Sequence, residues 1–174
     1  MKYLLSILLL FSIQPEWIES AEKSIMRINE NGKLEAEFEK KDKDGKTIFK
    51  KYITEKEIKT NIQYNYGKLM DIDMSFYENE RLLFAVIVKG KDVLIYKRER
   101  QKDEPYAVLI EKRTYFKNKI EGIKKTRKIK VYENSNIEKL KTELENIEFE
   151  TKKIGEKEYQ NLKEKYNRII SLNK

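Results

Sequence analysis

The chain has 174 residues, enough for one domain with a real core, and its 38 Lys and Arg against 30 Asp and Glu leave a formal charge of +8. It contains no cysteine and no histidine. Those absences exclude disulfides, zinc–thiolate centres, thiol nucleophiles, histidine triads, histidine metal sites and histidine pH switches.

The opening reads MKYLLSILLLFSIQPEW. Lys2 precedes an apolar run over residues 3–13, broken only by Ser6 and Ser12, and Pro15 ends any continuing helix. A basic start followed by roughly 7–15 apolar residues is the layout of a secretory signal. The run is too short to span a bilayer, which takes about 20 residues. Removal after Ser20 or Ala21 would set Ile18 or Glu19 at the third position back, and neither gives the small-x-small pattern. The competing reading is a buried N-terminal helix. The expected organisation is a signal peptide or buried helix over residues 1–21, then a single α+β domain over 22–174, β-rich over 22–133 and helical over 134–174. No integral membrane span is expected in the mature chain.

From Met26 the pattern reads as strands. Asn31-Gly32 is a hairpin-turn dipeptide, and Leu34, Ala36 and Phe38 alternate with charged residues. Asp44-Gly45 marks a second turn. Asp42, Asp44 and Gly45 fit part of a calcium loop, but Lys40 and Lys51 stand where its outer ligands belong, so a plain hairpin is expected. Thr54 and Glu57 have capping-box spacing for a short helical turn. In KLMDIDMSFY, Met70, Ile72, Met74 and Phe76 face one way, and Asp71, Asp73 and Ser75 the other. Leu82 to Val88 is apolar throughout, as in a central strand buried on both faces. KGKD is read as a turn into VLIYKRER, with further strands in YAVLIEKRTYF and RKIKVYE. The tail changes period. Ser135 and Glu138 form a capping box ahead of Ile137, Leu140, Leu144 and Ile147. IEFETKKI adds a strand, and Tyr159, Leu162, Tyr166, Ile169 and Ile170 share a second helical face. The expected fold is α+β, an antiparallel meander of about five to seven strands with two C-terminal helices packed on one face.

NGKLEAEF and YGKLMDIDMSF both set Gly-Lys-Leu before an alternating strand, with KNKIEGIKK as a looser echo. This is similar to the short hairpin repeats of MORN-variant proteins, some of which are exported from bacteria. It covers about a third of the chain without a regular period.

Two groups of residues carry chemistry. Asp71 and Asp73 lie two apart on one strand face, about 7 Å, a separation that paired carboxylates use in glycoside chemistry. The stronger candidate is basic. Lys97, Arg98, Arg100 and Lys102 form one cluster, and Lys117, Lys119, Lys124, Lys125, Arg127, Lys128 and Lys130 another, with Tyr96, Tyr106, Tyr115 and Phe116 interleaved. Cations that track phosphates and rings that stack on bases are what single-strand binders use. The leading expectation is an exported, non-enzymatic binding protein of a bacterial envelope, periplasmic or secreted, with an unknown protein or anionic polymer as partner and no cofactor or metal. The alternative is a cytoplasmic nucleic-acid or nucleoprotein-binding protein, such as a small mobile-element inhibitor, using the basic surface.

Overall fold

A computed structural model describes residues 14–67, 70–93 and 104–171. Among them are the strands β1 (Lys33–Lys41), β2 (Lys46–Ile53), β3 (Glu57–Asn65), β4 (Asp71–Asn79), β5 (Leu83–Val93), β6 (Ala107–Phe116), β7 (Gly122–Val131) and β8 (Glu150–Ile154). The helices are α1 (Glu16–Asn31), α2 (Ile137–Glu145) and α3 (Glu156–Ser171). The strands form one open sheet in the order β1 to β8, each antiparallel to the next. The meander is therefore as expected, with eight strands where about five to seven were read.

The helices divide between the two faces, which corrects the expectation that both C-terminal helices share one. Tyr159, Leu162 and Tyr166 of α3 pack over Phe49, Ile62, Met74, Phe76, Val86 and Phe116. Ile18, Ala21, Ile25 and Ile28 of α1 pack on the opposite face, over Tyr77, Phe84, Ala85 and Tyr115. Leu144 of α2 covers Ala107, Leu109 and Val131, at the other end of the face that α1 occupies. A sheet apolar on both faces needs cover on both, and a single pair of helices on one side would leave Tyr77, Phe84 and Tyr115 wet. A bulge where Tyr77 and Glu78 meet Ala85 and Leu83 places Phe84 and Ala85 together under α1.

The segment read as a strand before Asn31-Gly32 is helical. Ile18, Ala21, Ile25 and Ile28 recur at helical spacing, and burying that stripe outweighs the turn preference of one dipeptide. Gly32 is extended and donates its N–H to the Ile28 carbonyl at 3.0 Å, so it ends a helix and opens β1 instead of turning a hairpin. Side-chain tethers, two of them to buried sheet residues at Tyr115 and Glu57, hold α1 down. Tyr115 donates its hydroxyl to Glu22 at 3.0 Å, and Arg27 pairs with the buried Glu57. A boundary at residue 21 falls inside this helix.

Three other expectations need local correction. Thr54 and Glu57 close a tight turn between β2 and β3, where the Thr54 hydroxyl accepts the Glu57 N–H at 3.0 Å. They cap no helix. Asn136, not Ser135, caps α2, accepting the Lys139 N–H at 3.1 Å, while Ser135 accepts the Tyr132 N–H. KGKD is not a turn, since β5 runs through to Val93. Gly90 makes that continuation possible. Its φ is +141°, and a Cβ there would lie 2.0 Å from the Asp71 carbonyl oxygen and 2.8 Å from the Ile72 Cα. Gly90→Ala should cost at least about 2 kcal/mol, since the atoms in the way are backbone. Urea unfolding checks this, and an unchanged midpoint would contradict it.

Candidate functional site

The face shared by α1 and α2 carries a polar valley between the two helices. Its centre is Glu111 on β6, whose side chain is 5% exposed. β6 points Ala107, Leu109, Glu111, Arg113 and Tyr115 to this face. The register sets Lys89 of β5 and Arg127 of β7 on either side of Glu111. Arg113 donates to Glu111 Oε1 at 2.8 Å through Nε, Arg127 donates to Oε2 at 2.8 Å through Nε, and Lys89 lies 3.1 Å from Oε1. Burial works against the charged carboxylate, but the hydrogen bonds from Arg127, Arg113 and Lys89 outweigh it and hold its pKa down to about 2. Phe149, on the segment between α2 and β8, lies over both guanidinium groups, 4.5 Å from Arg127 and 5.2 Å from Arg113. Arg127 also donates to the Glu145 carbonyl at 2.6 Å, which ties the end of α2 to the sheet.

Beside this cluster lies a groove of about 360 Å³. Leu109, Ile137 and Leu144 form an apolar wall, with Lys141 and Glu145 of α2 beside it, Lys89 and Lys91 a basic ridge, and Asp71 and Asp73 the far side. Asp71 is directly opposite Lys91 in the ladder, and Asp73 opposite Lys89. Asn61 and Gln63 on β3 orient Asp73, donating to its two oxygens at 2.7 and 3.2 Å. A second hollow of about 310 Å³ lies past the same two aspartates toward Lys46, Ile48 and Gln63.

The two aspartates therefore share the wet face as their alternation predicts, and they line a concavity. The basic residues are not brought together. Alternation along β7 sends Lys125 and Arg127 to the α1/α2 face, and Lys124, Lys128 and Lys130 to the face of α3. Lys124 pairs with Glu158 of α3 at 2.7 Å, and Lys125 donates to Gln14 at 2.6 Å. Arg127 is committed to Glu111. Lys117 pairs with Glu121 in the β6–β7 turn, which also holds Lys119. Lys128 and Lys130 are exposed. The rings expected to stack on bases are interior. Tyr115 lies beneath α1 and Phe116 beneath α3, while Tyr106 packs with the α2 cluster. Lys97, Arg98, Arg100, Lys102 and Tyr96 fall outside the described residues.

The reading of candidate residues missed Glu111, Lys89, Lys91 and Arg113. A signal was present for Glu111, the one carboxylate at a position whose same-parity neighbours on β6 include Ala107, Leu109 and Tyr115. A carboxylate in that phase must have buried cations beside it. The hairpin reading of Asp42 and Asp44 holds, since Asp42 accepts the N–H groups of Asp44 and Gly45, both at 3.0 Å. Among the described residues no carboxylate group has a metal-binding arrangement, and no helix is long and apolar enough to cross a membrane. Comparison of the chain with protein-family models, with curated proteins and with solved structures found no match.

Proposed function

We propose that this is an exported, non-enzymatic binding protein of a bacterial envelope, and that the groove between α2 and β4–β6 holds its ligand. The observation that carries the binding half is the way the groove is built. A small concavity with one apolar wall and a few convergent charges is the usual form of a ligand site. Its polar floor is positioned by Glu111 and its three cations, so the charges facing the ligand sit on strands and not on loops. Glu111 is a fixed counter-ion. With its pKa near 2 it stays ionised at neutral pH, which suits positioning and does not suit proton transfer. Asp71 and Asp73 serve in this reading as ligand contacts.

Export rests on the opening of the chain, Lys2 followed by the apolar run over residues 3–13. The test is fractionation of the native host with intact-mass measurement of the product. The expected result is a protein outside the cytoplasm whose mass retains Trp17, Ile18 and Ala21, because those residues belong to α1. A product found only in the cytoplasm would overturn the export reading.

A further inference from the structure

The groove carries both signs of charge in register. Asp71 faces Lys91 across the β4–β5 ladder, yet neither side chain makes an ion pair or side-chain hydrogen bond among the described residues. Two opposite charges on adjacent strands, both left open at the mouth of a concavity, are available to a ligand. Asp73 is held by one donor on each oxygen, and each oxygen keeps a lone pair for a further donor. The third element is the apolar wall of Leu109, Ile137 and Leu144.

A purely anionic ligand would meet Asp71 and Asp73, and a purely cationic one Lys89 and Lys91. Each sign of charge thus excludes the wrong partner as well as attracting the right one. A ligand with an ammonium and a carboxylate side by side satisfies both rows at once. The volume of about 360 Å³ lies at the low end of small-ligand pockets, roughly 300–1,000 Å³. We infer that the groove takes a small zwitterion with an apolar side chain, a free amino acid or a short peptide, an assignment that rests on reading the groove as a binding site. The ammonium lies against Asp71 and Asp73, the carboxylate against Lys91 and Lys89, and the side chain against the Leu109–Leu144 wall.

Isothermal titration calorimetry of the full chain tests this with leucine, leucyl-leucine, N-acetyl-leucine and leucinamide. At least one of the two zwitterions should bind, and which one does identifies the source. N-acetyl-leucine lacks the ammonium and leucinamide the carboxylate, and each should bind about tenfold more weakly or worse. Asp71→Asn and Lys91→Gln should each weaken the zwitterion by a similar factor, with melting curves unchanged, since neither side chain makes an ion pair or side-chain hydrogen bond among the described residues. No binding of either zwitterion, or equal binding of the blocked analogues, would overturn the assignment. Export is read separately, from cell fractions, so failure here does not decide it.

Discussion

Glu111→Gln should destabilise the protein by about 3 kcal/mol, because the substitution leaves Arg127, only 11% exposed, beside a neutral partner. Arg113 and Lys89 lose their counter-ion in the same step, but they reach further into water and suffer less. Urea unfolding at neutral pH measures the loss. The double change Glu111→Met with Arg127→Met should cost less than the two single changes added, since it removes both charges of the most buried pair. The same carboxylate predicts an acid limb. Its folded pKa, about 2, lies below its unfolded value, so its contribution is complete above about pH 4.5 and fades as the pH falls toward 2. The difference between 4.5 and about 2 corresponds to about 3 kcal/mol, the same size as the mutational loss. In the Glu111→Gln variant that part of the acid limb should be missing. A variant that keeps the parent's full stability would refute the account of the cluster.

Ile18→Ala should cost about 3 kcal/mol. The side chain has no solvent exposure and sits among Tyr77, Phe84 and Tyr115, where neighbouring strands cannot collapse into the space it leaves. A chain begun at Glu22 loses Trp17, Ile18 and Ala21 together. It should unfold at a much lower urea concentration or fail to fold, and should bind a hydrophobic dye at the exposed face of β4–β6. A truncated chain as stable as the parent would show that α1 is dispensable. These losses bear directly on where an export signal can end. Trimming after Ser20 or Ala21 removes the first turn of α1 with the fully buried Ile18, so an exported protein with this fold begins upstream of Trp17.

Much of the sheet was legible because its strands announce themselves by period. Ile72, Met74 and Phe76 alternate with Asp71, Asp73 and Ser75, and the two sets do take opposite faces. Alternation does not reveal what covers each face. Tyr77 shares the phase of Asp71 and Asp73, and it is α1, nearly fifty residues earlier (Tyr77 reaches Asn29 across a separation of 48), that buries it. The Asn31-Gly32 dipeptide misleads for a similar reason. A two-residue preference of this kind is local, and the stripe from Ile18 to Ile28 is worth more once there is a sheet to receive it. At KGKD the glycine signals a turn, yet its function is to let β5 lie close against the backbone of Asp71 and Ile72.

The candidate site was half legible. Asp71 and Asp73 stand out from alternation alone. The groove needs α2, which begins at Ile137 and returns to cover Leu109, and no pattern within either segment indicates that they meet. The basic stretch from Lys117 to Lys130 looks continuous in one dimension. A strand turns successive side chains to opposite sides, so neighbours along the chain such as Lys124 and Lys125 end on different faces of the molecule.

The position of α1 has a consequence in time. Every strand pairs with its successor, so the sheet can assemble hairpin by hairpin as the chain emerges. α1, which covers one end of a face, precedes every described strand, and its partner Tyr115 lies 93 residues beyond Glu22. At about 5–20 residues per second, that interval is on the order of ten seconds. Until Tyr77, Phe84 and Ala85 follow, the stripe of Ile18, Ile25 and Ile28 lacks the sheet face that covers it, which is the condition in which a nascent segment is held by a chaperone or a translocation channel. α1 is complete well before the strands that receive it.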